Sequence, residues 1–155
     1  MIAARDLYVS ANDDSMVHSQ FLTYLTILDS LAEQWSRPAT AIQWIEDRLK
    51  NAVVVADHGL GFALDNLKKI SHGKAVRELV GRAAIAKGLD AATATTLMKK
   101  AGNLYTVRSN LSHAGNTDIP DVQSARNLAE LILNQAVLQP SLLNAQRNSN
   151  TGATN

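Results

Sequence analysis

Apolar residues recur along this chain at intervals of three and four, and the apolar–polar alternation that marks strands is nearly absent. Phe21, Leu25, Leu28, Leu31 and Trp35 form one such series. With Asp13 and Asp14 placed to cap it, the spacing predicts a long first helix that Arg37-Pro38 stops. Thr40 is the expected cap of a second helix through Ile42, Ile45, Leu49 and Val53, after which HGLG, His58 to Gly61, breaks the pattern. A short helix through Phe62, Leu64, Leu67 and Ile70 is expected to stop at His72-Gly73. The next runs from about Lys74 to Lys87 and stops at Gly88. Asp90 caps another, which carries Leu97, Met98, Leu104, Val107 and Leu111. A loop from Asn116 to Asp121 leads to a last helix over roughly Val122 to Leu138, ended by Pro140. The expectation is an all-α bundle of five to six helices in one domain over residues 1–140, followed by a disordered polar tail over 141–155.

Composition narrows the chemistry. Of 155 residues, 46% are apolar, enough for one core. Fifteen basic and 14 acidic residues give a net charge of +1, so any polyanion site must be local. The absence of cysteine excludes disulfides and thiolate chemistry. No signal-peptide core and no bilayer-length apolar run is visible, so a soluble cytoplasmic protein with no membrane partner is expected. Trp35 and Trp44 fall on apolar helix faces and are expected in the core. Asp14 and His18, at i and i+4, lack further ligands nearby, so no metal or other cofactor is expected. Gly59 and Gly61 make a lone G-x-G with no strand before it, better explained as a turn than as a dinucleotide site. Glu78 to Lys100 reads like a helix-turn-helix pivoting on Gly88. Its second helix opens with Ala91, Ala92, Thr93, Ala94, Thr95 and Thr96, which offer no Arg, Asn or Gln for a base edge, so DNA reading ranks below an ordinary helical corner.

The stretch with the most chemistry is LYTVRSNLSHAG, Leu104 to Gly115. Ser109 and His113 share a helix face, whereas Arg108 and His113 stand about 140° apart around an ideal helix. One compact site is easier to build if two copies of the helix pack about a two-fold axis and pool their Arg and His residues. A histidine at a helix C-terminus is favoured as the imidazolium by the macrodipole, and beside an arginine it makes an anion site on a nearly neutral protein. That pairing suits metal-free RNA cleavage, in which a 2′-OH attacks the adjacent phosphorus. Histidine moves protons near neutral pH and arginine stabilises the charged phosphorane. Read without wider context, the same residues are an arginine paired to a carboxylate and a histidine before a helix-ending glycine.

YTVRSNLSHAG resembles the signature of HEPN domains, and is most similar to their Apea-like branch. Tyr105, Arg108, Ser109, Leu111 and His113 match that pattern, with Ala114 inserted before Gly115. FLTYLTILDSLAEQW resembles the family's first core helix, with Asp29 in the place of a more usual Glu, and Arg82 resembles a basic position in the helix before the signature. The resemblance covers roughly residues 5–139. It implies a dimerising helical bundle, often a ribonuclease of toxin or anti-phage abortive-infection systems. Arg108 and His113 would be the catalytic pair and Ser109 the supporting polar residue. The implied partners are RNA, a second copy of the chain, and an antitoxin or a fused or neighbouring defence domain. The alternative of the same fold is a non-catalytic module of a larger protein that dimerises or senses RNA.

Overall fold

The apolar series from Phe21 to Leu31 forms the helix that lines the core of the larger of two compact units. The computed structural model describes residues 1–54, 58–114 and 119–144, leaving out the side chains at 52–54, 58 and 112–114. Among the described residues there are α1 (Ile2–Asp13), α2 (Val17–Leu31), α3 (Ala39–Val54), α4 (His58–Asn66), α5 (His72–Ala86), α6 (Ala91–Ala114), α7 (Val122–Leu138) and a 3-10 turn (Pro140–Leu143). The described residues are all-α, with seven α-helices rather than five to six. The additional one is α1. Its buried positions are Ala4 and Ala11, with half-buried Tyr8 between them, so its inward face is too small and too polar to stand out as an apolar stripe.

The larger unit comprises 1–33 and the chain from 72 onward. Its core combines Phe21, Tyr24, Leu25, Ile27 and Leu28 of α2 with Val76, Leu79, Val80, Ala83 and Ala84 of α5 and Ala125, Leu128, Ala129 and Ile132 of α7. Burial of each large side chain contributes roughly 1.5–3 kcal/mol. α1 is pinned to it by Tyr24 Oη, which donates to Asn12 Oδ1 at 2.7 Å, and by the tilted Tyr8–Tyr24 ring pair. Asp14 does not cap α2 as expected. It closes α1 and accepts the Met16 N–H at 2.8 Å, and α2 starts behind Met16 with no side-chain cap bond. The two later caps match their sequence signals: Asp90 Oδ1 accepts the Thr93 N–H at 2.9 Å, and Asp121 Oδ1 accepts the Ser124 N–H at 2.9 Å.

α5 and α6 form a tight antiparallel hairpin. Gly88 takes φ +85°, its N–H bonds the Ile85 carbonyl and the Leu89 N–H bonds the Ala84 carbonyl, a Schellman ending that only glycine adopts without strain. Further along, a Cβ at Gly81 would meet Met98 Sδ at 2.7 Å, one at Gly102 would meet Arg77 Cδ at 3.1 Å, and one at Gly73 would meet Tyr105 Cδ1 at 3.2 Å. His72-Gly73 therefore opens α5 instead of stopping a helix: its glycine serves the close approach to Tyr105, not a turn.

The smaller unit, Gln34–Ser71, holds α3 and α4. α2 stops at Leu31, short of Trp35, and the chain around Trp35 pairs with the far end of this unit. The Arg37 N–H bonds the Lys68 carbonyl and the Ile70 N–H bonds the Trp35 carbonyl, each at 2.9 Å, so Leu67 and Ile70 belong to this tie and not to α4. α3 begins behind Pro38, whose carbonyl accepts the N–H of Ala41 and Ile42, which leaves Thr40 inside the helix rather than at its cap. HGLG, expected to break the helical pattern, lies within α4 from its first residue. Two helices enclose little space, and of the two tryptophans expected in the core Trp35 is half-buried while Trp44 is 56% exposed with the Arg48 guanidinium 5.0 Å over its ring.

Gly81→Leu should lower stability in urea unfolding by about 1–3 kcal/mol despite its gain in helix propensity, with Met98→Ala restoring part of the loss. Asp121→Ala should cost about 1 kcal/mol. Hydrogen bonds from Ser124 hold the Asp121 carboxyl below its usual value. Its contribution should be complete above the ordinary carboxylate range near pH 4 and fade as pH falls through the lowered value, a dependence that the Ala variant loses.

Candidate functional site

Arg108 and Tyr105 lie one turn apart on α6, so they share a face. That face meets two other parts of the larger unit: Asp29 near the end of α2 and His72-Gly73 at the start of α5. Arg108 Nη1 is 2.7 Å from Asp29 Oδ2, with the Asp29 side chain 18% exposed and the Arg108 side chain 30% exposed. The same Nη1 donates to Tyr105 Oη at 3.3 Å, and the guanidinium carbon lies 5.4 Å from the Tyr105 ring centroid. Tyr105 in turn rests against Gly73. His72 Nδ1 stands 3.9 Å from Asp29 Oδ1. That Oδ1 is buried and has no hydrogen-bond partner among the described residues.

Each contact has a physical role. A carboxylate this little exposed is costly without a cation, and Arg108 supplies one through a short charge-assisted bond. Burial pushes the Tyr105 phenol above its ordinary value, and the Asp29 carboxylate pushes the same way against the pull of Arg108. Tyr105 is thus a neutral hydroxyl at physiological pH that accepts from Arg108 and hydrogen-bonds the Asp29 carboxylate.

Of the residues singled out in the sequence, Arg108 and Asp29 are brought together, and Ser109 is exposed on the next position of α6. Position 113 falls in the last turn of α6, and the His113 side chain lies outside the described residues. Arg82 belongs elsewhere: ten residues along α5 from His72, about 15 Å of helix, its Nε donates to the Leu142 carbonyl at 3.1 Å. There it ties α5 to the 3-10 turn, and burial pushes its guanidinium down against the pull of Glu78 and Glu33. Sequence reading missed His72 as a member of the cluster, because its neighbour Gly73 resembled a helix stop and Asp29 is far away in the chain. The helix-turn-helix reading fares poorly in chemical detail. Its second helix runs on through the 24 residues of α6, and the exposed Thr95 and Thr96 hydroxyls bond back to the carbonyls of Ala91 and Ala92.

No helix among the described residues is long and apolar enough to cross a membrane. No family model, curated protein or solved structure matches the chain.

Because the Asp29–Arg108 pair is only partly exposed, Arg108→Ala should cost about 1–3 kcal/mol in denaturant unfolding, less than a fully buried pair would. Asp29→Asn combined with Arg108→Ala should cost less than the sum of the single changes, since each removes the partner the other needs.

Proposed function

We propose that this chain is a metal-independent endoribonuclease of the HEPN type, related to toxin or anti-phage defence nucleases and active as a homodimer. Arg108 stabilises the phosphorane, His113 acts as general acid/base, and Ser109 orients one of them. The observation that carries this reading is the state of Arg108. Asp29 and Tyr105 hold its guanidinium in place, while 30% of the side chain remains exposed. A cation whose position is set before the substrate arrives stabilises developing charge without reorganising, which is what a charged transition state requires. The resemblance of YTVRSNLSHAG, with Asp29 on the first core helix, supplies the reaction class; the geometry supports it by pairing those two elements.

A second reading has its own observation. Asp29 already neutralises Arg108, as a purely structural arginine would be neutralised. Under that reading the fold is a non-catalytic module that dimerises or senses RNA for a neighbouring domain.

Incubation with RNA in EDTA separates the two. The first reading expects cleavage that leaves 2′,3′-cyclic phosphate ends, reduced about 10²–10⁴-fold by either His113→Ala or Arg108→Ala. Dimerisation with no cleavage supports the module, and undiminished cleavage by both variants overturns the site.

A further inference from the structure

We infer that His72 is a second proton-transferring group of the candidate site, accepting the 2′-hydroxyl proton while Asp29 orients its ring; this rests on the ribonuclease reading above.

The reaction itself demands two proton transfers. As the 2′-oxygen attacks, its O–H bond breaks, the O–P bond forms, and the proton needs an acceptor. As the P–O5′ bond breaks, the leaving oxygen needs a proton from a donor. Acceptor and donor are two separate roles: the partner copy of His113 is one candidate for the acceptor, and His72, the imidazole beside the unpartnered Asp29 Oδ1, is the other. Within the Asp29 cluster most side chains are unsuited to the acceptor role. The Arg108 guanidinium has no lone pair to offer. The Tyr105 phenol is neutral, and Asp29 Oδ2 is engaged by Arg108. An imidazole is the side chain whose ordinary titration falls near neutral pH, and His72, with 54% of its side chain exposed, is the one at this cluster that a substrate can reach.

Its surroundings point the ring the right way. Asp29 Oδ1 is buried and unpartnered, and His72 Nδ1 at 3.9 Å is its neighbour. A shift of about 1 Å by the exposed ring brings Nδ1–H within hydrogen-bond distance. Such contacts are commonly long in the free enzyme and tighten when substrate binds. With Nδ1–H given to Asp29, Nε2 carries the lone pair and is directed away from the carboxylate. The same carboxylate then holds both the phosphorane-stabilising arginine and the proton acceptor. Gly73, packed on the Tyr105 ring, fixes where His72 begins α5.

Two measurements on the full chain test this. The first is ¹⁵N spectroscopy of the histidine side chains without RNA. Neutral His72 should be the Nδ1–H tautomer in the wild type and revert toward Nε2–H in Asp29→Asn; a wild-type Nε2–H tautomer overturns the pairing. The second is kcat/KM for RNA cleavage against pH. Among the described residues, the charged and titratable groups near His72 include Asp29 from α2, Tyr105 and Arg108 from α6, and Lys74 two residues along its own helix. His72→Gln should cut the rate about 10²–10⁴-fold and flatten the rise on the acid side of the profile. Cleavage by His72→Gln with that limb intact overturns the inference while leaving the ribonuclease reading in place. No cleavage by the wild type removes that reading and this proton-transfer role together, while the tautomer still reports whether His72 and Asp29 pair.

Discussion

The close approach of α5 and α6 is the constraint from which the rest of the candidate site follows. Three contacts set the register of the hairpin: Gly73 against Tyr105, Arg77 against Gly102, and Gly81 against Met98. Each step of four along α5 is matched by a return of three or four along α6, as two antiparallel helices in continuous contact require. A side chain at Gly81 or Gly102 would push the helices apart or displace the residue opposite. With the register held and Gly88 closing the turn, Tyr105 comes to rest beside the start of α5 and Arg108 projects one turn beyond it.

At that point the hairpin meets α2, and electrostatics takes over from packing. Asp29 follows the heavily apolar Tyr24–Leu28 segment and is largely withdrawn from solvent, so its charge must be balanced. Arg108 balances it, Tyr105 gives the guanidinium a neutral oxygen, and His72 stands over the unpartnered carboxylate oxygen. One carboxylate thereby draws on three residues from two distant segments of the chain. Such a centre can be structural, locking α2 to the hairpin, and chemical, positioning a cation and an imidazole toward solvent. The two roles are compatible because the first holds in place what the second uses.

Large parts of this were legible in the chain. The helical class followed from the spacing of three and four, α7 was bounded correctly at Val122 and Leu138, and Asp90 and Gly88 were recognised as cap and turn. These are local matters, decided by dihedral preference and by hydrogen bonds between near neighbours. Asp29 and Arg108 could be singled out by residue type and motif, although nothing in the linear pattern says that they touch. The misreadings have a common origin. Ala4, Tyr8 and Ala11 gave α1 no visible apolar stripe, and Trp44 sat on an apolar face with too small a unit around it to bury the ring. Gly73 reads as a terminator because a glycine needed for close packing has the same letter as one needed for a turn.

The sequence by itself determined where most helices run, how several of them end, and which charged and titratable residue types were available. Only the tertiary structure decided that Asp29, His72, Tyr105 and Arg108 form one cluster. Helical periodicity specifies which face of a helix is apolar but not which helix will cover it or in what register. That choice depends on shape at contacts such as Gly81 with Met98, and on the cost of leaving a withdrawn carboxylate without a cation, both of which arise only once distant segments have met.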